Sequence, residues 1–508
     1  MCAKISKVDE ITAIASKRGI FFPTAEIYGG KAGFFTYGHI GKLLKNRWET
    51  LWRDTFLNLS DNFYEIQSNN ILPEDVFKAS GHIEHFNDPM SECKKCHSRF
   101  RVDHLLEDKS IRVEGLSQEG MNKELAKNKI KCPKCGGELS EGKMFNMMFA
   151  VPVGFAGEKG YLSPETAQGA FIAFKNMFQA TRGKLPLGLA IIDKAYRNEI
   201  SPRQLFFRLR EFTQAELQIF FDPAKLDIIE ENVWNTVKNY KLLIKKEESD
   251  KIQAISLDEM NKNMKIGKFY LYYLAKVQQF YFEKIGIPQA KLRLRELGEN
   301  ERAFYNKTHF DVEIYLETLG GFKEVGGIHY RGDHDLARHQ KASGEKLEVY
   351  HDGKKVLPHV LELSFGVDRN IWTLLDLFYA QDTAKSAGGD EEERYVFRFP
   401  ASLSPFHAAI FPLVNKDGMD TLAESIASDL RKDFQVFYDD SGSIGRRYRR
   451  MDEIGVKYCV TVDSQSMKDK DVTIRDRDSL KQIRVKISEL REVVGKLINS
   501  GDFNVVVK

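Results

Sequence analysis

Charged and aromatic side chains crowd together in one short stretch, AYRNEISPRQLFFRLREF, which runs from Ala195 to Phe212. It reads as two strands joined by a turn at SPRQ, and alternate residues of a strand share a face. The faces expected to point the same way carry Arg197, Glu199, Phe206, Arg208, Arg210 and Phe212. Guanidinium groups fork onto phosphate oxygens and a ring stacks on a base, so the pattern predicts a nucleoside triphosphate site. A surface hairpin with cross-strand ion pairs, each contributing roughly 0.2–1 kcal/mol, is the alternative.

A second element could complete such a site. VLPHVLELSFGVDRNIWTLLDLF begins as a strand, and its two faces carry Pro358, Val360, Glu362 and Ser364 on one side and His359, Leu361 and Leu363 on the other. After Gly366 the apolar residues take helical spacing at Ile371, Leu374, Leu375 and Phe378. Arg369 falls in the first turn of that helix, where the macrodipole disfavours a cation. An anionic partner is the expected reason, and an exposed arginine without a role is the alternative.

Four of the six cysteines form two CxxC pairs, whose members are Cys93, Cys96, Cys132 and Cys135. Each pair forms a turn that directs both sulfurs to one centre, and in a chain without signs of secretion this predicts four thiolates around one zinc ion, not disulfides. Four sulfur ligands leave no open coordination position, so the metal is expected to be structural. Four reduced thiols at a site that has lost its metal are the alternative.

The composition bounds the class of protein. A chain of 508 residues suggests about three domains, and 42% hydrophobic residues are typical of a folded protein. No run approaches the roughly 20 apolar residues of a membrane helix. The first residues lack the apolar core of a signal peptide, so a cytoplasmic location is predicted. A net charge of +3 leaves nucleic-acid binding only as a local patch.

The elements that must position these residues change in character along the chain. Residues 1–390 read as one large unit with two insertions, at about 91–143 around the cysteines and at about 225–297, where the composition predicts helices. The small, polar stretch 380–395 has no apolar period and reads as a linker. From 391 to 508, strands alternate with helices, which predicts an α/β domain with a mostly parallel sheet, closed by a hairpin at RDRDS and a final helix.

The longest motifs resemble those of class II aminoacyl-tRNA synthetases. ASGHIEHFNDP (79–89) resembles their motif 1, YRNEISP with FRLREFTQAELQIFFDP their motif 2, and LPHVLELSFGVDR their motif 3. FPTAEIYGG, SPETAQG and YDDSGSIGRRYRRMDEIG are similar to segments of the dimeric-type glycyl-tRNA synthetases, and this similarity extends from about residue 20 to 485. The resemblance implies an α+β fold: an antiparallel sheet flanked by helices, a zinc-ribbon-like insertion, a dimer interface at motif 1 and a C-terminal α/β domain that binds the anticodon.

The reaction implied by the resemblance activates glycine with ATP to glycyl-adenylate and pyrophosphate, and then transfers glycine to the 3′ end of tRNA(Gly). Mg²⁺, a structural Zn²⁺ and a second copy of the chain, forming a homodimer, are implied as well. Among the catalytic residues implied, Arg197 would bind the α-phosphate, Glu199 the adenine amino group or the terminal adenosine of the tRNA, and Arg369 the γ-phosphate. The residues implied to bind ATP are Arg197, Asn198, Glu199, Phe207, Arg208, Leu209, Arg210, Glu211, Phe212, Glu324, Val325, Gly366, Val367, Asp368 and Arg369.

Glycine offers no side chain, so its selection is expected to depend on exclusion of larger substrates. The resemblance implies that carboxylates surround its ammonium group and that Ser364 fills the space a β-carbon would need. The residues implied to bind glycine are Arg101, Glu165, Phe212, Thr213, Gln214, Ala215, Glu216, Arg331, Glu362, Leu363, Ser364, Phe365 and Gly366. Taken alone, Glu165 would be an ordinary carboxylate one turn into a helix begun by Ser163 and Pro164.

The sequence departs from the family pattern at Ser163, Asp193, His329 and Leu363, where arginine, glycine, a small residue and proline are usual. None of these changes removes a contact implied for ATP or glycine. A catalytically inactive synthetase-like protein that binds tRNA or another partner is the main alternative, but such proteins typically lose the arginines of motifs 2 and 3, which remain. The three glutamates argue against a synthetase for proline or threonine.

A basic cluster lies on a helix predicted in the last domain, at Arg446, Arg447, Arg449 and Arg450. Contact with phosphates of the anticodon stem is one interpretation. A solvated helix face paired with Asp439, Asp440 and Asp452 is the other.

Overall fold

The computed structural model describes residues 6–506 except 110, 112, 114–115, 201, 203, 248, 250, 299–307 and 386–390. The helices are α1 Lys7–Lys17, α2 His39–Phe56, α3 Glu74–Ser80, α4 His82–His85, α5 Val102–Glu107, α6 Gln118–Lys127, α7 Ala167–Ala180, α8 Glu231–Val237, α9 Leu257–Met264, α10 Lys268–Gln279, α11 His334–Ser343, α12 Val367–Phe378, α13 Met419–Leu430, α14 Ile444–Ile454, α15 Ser464–Asp469 and α16 Leu490–Ser500. The strands are β1 Phe21–Pro23, β2 Phe35–Tyr37, β3 Phe63–Glu65, β4 Ile71–Pro73, β5 Asn87–Glu92, β6 Arg99–Arg101, β7 Lys143–Asn146, β8 Phe149–Val153, β9 Glu158–Leu162, β10 Leu187–Tyr196, β11 Glu211–Phe221, β12 Lys241–Lys245, β13 Ile252–Ser256, β14 Leu292–Glu296, β15 Thr308–Leu316, β16 Gly321–Gly332, β17 Val349–His351, β18 Lys354–Val356, β19 His359–Gly366, β20 Tyr379–Lys385, β21 Glu391–Phe397, β22 Ala408–Pro412, β23 Val436–Tyr438, β24 Tyr458–Val462, β25 Asp471–Asp476 and β26 Gln482–Lys486.

A nine-stranded sheet with the order β13-β12-β14-β15-β16-β19-β11-β10-β3 forms the centre of the molecule. Its pairs are antiparallel except β12 with β14 and β10 with β3. Helix α2 covers one face, where Trp48 and Trp52 pack edge-on against Phe365 of β19. Helix α7 covers the other face, where Phe174 stacks on Phe220 of β11 with the ring centroids 4.5 Å apart. Helices packed on a mainly antiparallel sheet confirm the α+β class.

The alternation predicted for β19 is confirmed. Leu361 and Leu363 are buried in the core on the α2 side, whereas Glu362 and Ser364 point to the opposite face. The helical spacing after Gly366 is confirmed as well, since α12 runs from Val367 to Phe378 and buries Ile371, Leu374 and Leu375 in the core. Arg369 is the third residue of α12, in the first turn, as the sequence predicts.

The insertion at 225–297 is not wholly helical, contrary to the sequence-based expectation. Three of its segments, β12, β13 and β14, extend the nine-stranded sheet at one edge. The alternating apolar residues that make this possible are Leu242 and Ile244 in β12 and Leu292 and Leu294 in β14, all fully buried. The long apolar segment is helical as predicted, because α10 continues as a π-helical turn at Phe280–Ile285.

The stretch 380–395 is not a simple linker. Strands β20 and β21 pair as an antiparallel ribbon over most of it, and residues 386–390 lie outside the described part of the chain. Arg394, only 1% exposed, binds both carboxylate oxygens of Asp382 across the ribbon at 2.6 and 2.7 Å and reaches Asp452 at 3.3 Å. The polar composition misled the prediction because two of these polar residues, Asp382 and Arg394, pair with each other across the ribbon and Arg394 is buried against Asp452 of the last domain.

The charged stretch 195–212 is also more irregular than predicted. β10 ends at Tyr196 and β11 begins at Glu211, while Leu205–Phe207 form a 3-10 turn. Strand alternation therefore does not hold from 206 to 210. Phe206 turns into the core, 4.8 Å from the ring of Phe21. In the expected SPRQ turn, residues 201 and 203 lie outside the described part of the chain.

The insertion that carries the cysteines is a small unit of its own. Strands β6, β5 and β7 form a three-stranded sheet, and helices α5 and α6 pack beside it. Its buried apolar cluster comprises Val102, Leu105, Leu106 and Leu125. A core this small contributes little stability, which agrees with a need for a metal.

The last domain has the sheet order β23-β22-β24-β25-β26. β22 is parallel to β23 and β24, but β25 and β26 pair antiparallel, so the sheet is mixed and not mostly parallel as expected. The hairpin around RDRDS and the final helix, α16, are confirmed. None of the helices in the described ranges has the length and apolar character that crossing a membrane requires.

Candidate active site

A cleft lies where the 195–212 stretch, β16, β19 and α12 meet. It brings together residues that are far apart in the sequence, most of them predicted for ATP or glycine. The lining residues are Arg197, Glu199, Phe206, Phe207, Arg208, Leu209, Phe212, Thr213, Gln214, Glu324, Gly326, Ser364, Gly366, Asp368 and Arg369.

Arg369 extends from α12 back over Gly366, where a Cβ would lie 3.1 Å from its Cδ. Its Nη1 is 3.0 Å from Glu324 Oε1, and its guanidinium lies 5.9 Å from the centre of the Phe207 ring. Burial opposes ionisation of Glu324, but Arg369 and Arg197 outweigh it and lower the pKa of this carboxyl. The pair thus holds a charged arginine beside a charged acid in the cleft.

Arg197 is fixed by its surroundings. Its guanidinium lies between the rings of Phe86 and Phe212, 5.5 and 5.2 Å from their centres, and its Nε donates to the backbone oxygen of Pro164 at 3.1 Å. Arg208 approaches Glu199 more loosely, at 3.6 Å between Nε and Oε2. A guanidinium held in place before a ligand arrives needs little reorganisation when it binds an anion.

Asp368 lines the cleft, but its carboxylate binds other residues of the protein. Its carboxylate accepts from the backbone N–H of Thr213 at 2.5 Å and from the hydroxyl of Tyr37 at 2.6 Å, and Lys45 Nζ is 3.7 Å away. With 3% exposure and these partners, it ties α12 to β11 and α2. Its contribution to the cleft is to fix the elements around it.

Ser364 connects this cleft to a buried group of acids. Its hydroxyl donates to Glu216 Oε1 at 2.8 Å, and the hydroxyl of Thr166 donates to Glu216 Oε2 at 2.7 Å. Those two hydroxyls are the only partners of Glu216 within the described residues, and neither carries charge. Burial, and then repulsion by Glu362 and Glu165, raises the pKa of Glu216 to about 8.

The other acids of the group each have a cation. Arg331, 1% exposed, binds both oxygens of Asp335 at 2.8 and 2.9 Å and donates to Glu362 Oε2 at 2.9 Å. Burial opposes ionisation of Glu362, but Arg331 and His329 lower its pKa to about 2. Glu165 lies 3.6 Å from both His82 Nε2 and Arg331 Nη2, and these groups likewise lower its pKa against the effect of burial.

The helix next to this group begins later than predicted. α7 starts at Ala167, so Glu165 precedes it and is not one turn inside it. The residues from Ser163 to Thr166 instead form a bend that brings Glu165 and Thr166 to the acids of β11 and β19. The notion of an ordinary helix-start carboxylate is therefore wrong for Glu165.

Several residues predicted to bind substrate have side chains that point away from the cleft, into the core on the opposite face of the sheet. Alternation along β11, β16 and β19 sends every second residue to the α2 face, and Val367 in the first turn of α12 packs there too. The residues placed in this way, at most 1% exposed, are Ala215, Val325, Leu363, Phe365 and Val367.

Four other predicted residues do not line the cleft itself. Arg101 forms ion pairs with Asp88 and Asp103 in a second cavity beside the cysteine-bearing insertion, and Glu199 and Arg208 line both this cavity and the cleft. Arg210 donates to the backbone oxygens of Glu199 and Ala32 at 2.8 Å each. Glu211 pairs with Lys194 at 3.0 Å, and Asn198 lines a different groove.

The sequence reasoning missed several members of the buried acid group. Thr166 and Gln168 lie inside SPETAQG beside Glu165, and Gln218 shares the face of Glu216 two residues away, so strand and motif spacing could have indicated them. His82, His329 and Asp335 join the group only through long-range packing. The missed residues are His82, Thr166, Gln168, Gln218, His329 and Asp335.

The four cysteines meet as predicted. Their sulfurs all lie within 4.8 Å of one another, with Cys93 and Cys135 3.5 Å apart and Cys96 and Cys132 3.6 Å apart. Tetrahedral coordination at a Zn–S distance of about 2.3 Å requires sulfurs about 3.8 Å apart, and a disulfide requires about 2.05 Å. The arrangement therefore fits a four-thiolate zinc site.

The four arginines of the basic cluster in the last domain have different surroundings. Arg447 is buried and donates to the backbone oxygens of Pro412 and Gly442. Arg450 pairs with Asp439 at 2.6 Å, and Arg449 donates to the backbone oxygen of Glu393. Arg446 is exposed. Structural contacts thus account for most of the cluster, and Asp452 pairs with arginines outside it.

Arginines from the two motifs that the sequence singled out meet over one end of an antiparallel sheet, and this fold and site define a class II aminoacyl-tRNA synthetase. The family model for the tRNA synthetase class II core domain (G, H, P, S and T) matches residues 156–378, and that for the anticodon binding domain matches residues 407–497. Glycine–tRNA ligases from Thermococcus sibiricus and Pyrococcus horikoshii are each 38% identical to the chain, over 98% of its length and 100% of theirs. One from Methanococcus vannielii is 37% identical over 95% of the chain and 98% of its own length. The chain belongs to the glycine–tRNA ligase family.

Proposed function

We propose that this chain activates glycine with ATP and transfers it to the 3′ end of tRNA(Gly). In the first step a carboxylate oxygen of glycine bonds to the α-phosphorus of ATP and pyrophosphate leaves. In the second step the terminal ribose hydroxyl of the tRNA bonds to the glycyl carbonyl carbon, and AMP leaves with the bonding electrons. The first step depends on positioning and charge stabilisation more than on a protein base, because the glycine carboxylate is already ionised. In the second step the proton of the ribose hydroxyl would pass to the departing phosphate of AMP.

One observation carries the proposal. The buried group holds four carboxylates, and among the described residues Arg331, His329 and His82 lie within ion-pair distance of three of them, Glu165, Glu362 and Asp335. Glu216 is the acid left without a cation. A buried, unpaired carboxylate is costly, so a ligand cation stabilises this site when it binds. The ammonium group of a small amino acid has the charge and size for this position.

The same arrangement explains why the ligand would be glycine. Ser364 both lines the ATP cleft and donates to Glu216, so the ammonium site adjoins the phosphate site with little space between. A β-carbon would have to displace the serine side chain or the strands beneath it. One methyl group in a hydrophobic pocket gives only about 1–3 kcal/mol of discrimination, and a clash can give more.

In the ATP half of the cleft, Arg197 would contact the α-phosphate and stabilise the negative charge that builds there during the attack. Arg369 and Arg208 would hold the γ-phosphate. Arg369 would then leave its ion pair with Glu324 and bind phosphate oxygens instead. Phe212 would stack on the adenine, with Glu199 near its amino group. Arg210, Glu211 and Asn198 have no direct role in this proposal, because their side chains bind other parts of the protein or line a different groove. Arg101 would act only from the adjoining cavity, which shares Glu199 and Arg208 with the cleft.

Glu324 is the carboxylate that would hold Mg²⁺ against the phosphates, and Mg²⁺ would neutralise part of their charge. The four cysteines would hold a structural Zn²⁺ that stabilises the insertion around them. We further propose a cytoplasmic homodimer with motif 1 at its interface and a division into a catalytic domain, 1–390, and a domain at 391–508 that binds the anticodon. The match of 407–497 to an anticodon binding domain supports the last assignment.

Amino-acid-dependent exchange of pyrophosphate into ATP tests the proposal. Exchange is expected with glycine and not with alanine or serine, and charging is expected for tRNA(Gly). The absence of exchange with any amino acid, in a protein that still binds tRNA, would instead support the catalytically inactive alternative. Exchange with alanine as fast as with glycine would refute the argument from Ser364.

A further inference from the structure

His329 occupies an unusual place for a charged side chain. It lies on β16 directly across from Glu362 on β19, and its Nδ1 makes a very short contact with Glu362 Oε1. The imidazole leans over Gly327, where a Cβ would lie 2.4 Å from its Nε2. Gly327 pairs with Ser364 in the sheet, so the ring lies beside the position proposed for the amino group of glycine.

The surroundings favour a protonated ring. Burial disfavours the charge, but Glu362 outweighs it and raises the pKa of His329, while Arg331 on the same strand acts in the opposite direction. On the neighbouring strand β15, His309 packs edge-on against the ring at 4.1 Å between centres, and its Nε2 lies 2.9 Å from Asp311. The groups on β15 therefore engage each other, and Glu362 is the acid that His329 contacts.

The contacts of Glu362 are complete without a substrate. Oε1 meets His329, and Oε2 accepts from Arg331 at 2.9 Å and from Gln218 at 2.7 Å. Glu216, which pairs with Ser364 two residues further along β19, receives only the two hydroxyls. Two acids that the sequence presents as equivalent members of one carboxylate group therefore have different partners, since Glu362 lies against two cationic groups and Glu216 against two hydroxyls.

We propose that His329 is a specificity-determining positioning residue, which neutralises Glu362 and so leaves Glu216 as the carboxylate that receives the ammonium group of glycine. This inference rests on the proposed function of the site. It assigns Glu362 to holding His329 and Arg331 in place and Glu216 to the substrate. It also gives a role to a residue that stands where a small side chain is usual in the family.

A double-mutant cycle measured by glycine-dependent pyrophosphate exchange tests this assignment. Glu362→Gln leaves His329 without its counter-charge near the ammonium site, so we expect the glycine KM to rise at least tenfold. Adding His329→Asn, which removes the cation and keeps a donor, should return the KM to within about threefold of wild type. If Glu362 itself binds the ammonium group, the double variant will remain as impaired as Glu362→Gln, and the proposal fails.

A second cycle does not depend on Glu362→Gln being folded. Glu216→Gln should raise the glycine KM, and adding His329→Asn should lower it again several-fold, because Glu362 then has a carboxylate oxygen for the ammonium group. No recovery in this pair overturns the proposal. His351→Asn, a histidine replacement on β17, should leave the glycine KM unchanged, and the KM for ATP should stay within about twofold in all these variants. Wild-type protein without any glycine-dependent exchange would refute the proposed function, whereas exchange with strictly additive cycles would refute only the role of His329.

Discussion

The raised pKa of Glu216 makes a quantitative prediction about glycine binding. The ammonium group requires the ionised carboxylate, so the apparent affinity is the intrinsic affinity multiplied by the ionised fraction. With a pKa of about 8, that fraction is about 1% at pH 6, about 9% at pH 7 and about 50% at pH 8. The glycine KM should therefore fall about fivefold from pH 7 to pH 8 and about fiftyfold from pH 6 to pH 8, and then level off.

The glycine KM should fall as the pH rises because the pKa of Glu216 is raised. Because burial and the neighbouring acids favour the neutral form of Glu216, its proton must leave before glycine binds, and rising pH assists binding. Glu165 and Glu362 do not contribute to this change, since their pKa values are lowered and they remain ionised throughout the range. The binding of glycine should accordingly release close to one proton per site at or below about pH 7, and about half a proton at pH 8.

Glu216→Gln isolates this contribution. The amide has the shape of the neutral acid and can still bond to Thr166 and Ser364, but it cannot ionise. Removing one partner of a buried charge pair costs about 2–5 kcal/mol, which corresponds to about 30-fold to 4,000-fold in affinity. The variant should therefore bind glycine weakly and with a much flatter pH dependence.

Isothermal titration calorimetry in buffers of different ionisation enthalpy measures both the affinity and the protons released. Pyrophosphate exchange from pH 6 to pH 8 provides the KM values, with the KM for ATP as the internal control. A glycine KM that does not change between pH 6.5 and pH 8 in the wild type would refute the argument from charge balance. So would a Glu216→Gln variant that keeps the full pH dependence.

Three further predictions concern other parts of the molecule. Arg369→Ala should lower kcat/KM for ATP in pyrophosphate exchange by about 10- to 150-fold, as expected for a lost charged hydrogen bond of about 1.5–3 kcal/mol. Glycine binding measured by calorimetry should not change. Equal losses for both substrates would contradict the assignment of Arg369 to phosphate. Cys132→Ser should reduce the zinc content, measured by elemental analysis, from about one ion per chain. It should also make residues 91–143 susceptible to limited proteolysis, because that insertion has only a small apolar cluster of its own. A wild-type protein that is folded and metal-free would contradict the zinc site. Asp452→Asn should lower the free energy of unfolding by about 3–5 kcal/mol in urea titrations, because Arg394 and Arg475 lose a buried counter-charge, whereas Asp75→Asn, at an exposed acid, should change it by less than about 0.5 kcal/mol.

Local sequence spacing was sufficient to predict several features of this molecule. The period of two along β19 correctly separated Glu362 and Ser364 from Leu361 and Leu363, since side chains on a strand must alternate. The CxxC spacing correctly predicted that four sulfurs meet, because each pair forms its own turn. Arg369 in the first turn of α12 correctly indicated a residue of the cleft.

Pattern failed where the partner of a residue lies far along the chain. The ribbon of β20 and β21 looked like a linker because Arg394 is buried against Asp452, 58 residues away, as well as paired with Asp382 across the ribbon. The return strand of the charged stretch was predicted too early because Phe206 packs against Phe21 and leaves the alternation. In both cases burial of a side chain against a distant segment overrode the local period.

By itself the sequence determined which residue types enter the site: the arginines, the rings, the three glutamates and the cysteines are present in motifs that can be read directly. Only the tertiary structure decided which of these glutamates have a cation beside them. Glu165, Glu216 and Glu362 are identical in chemistry, and the cations that distinguish them come from two separate segments, His82 from α4 and His329 and Arg331 from β16. Electrostatic energy depends on distance and on exclusion of water, and neither quantity is defined until the sheet and α7 bring those segments together.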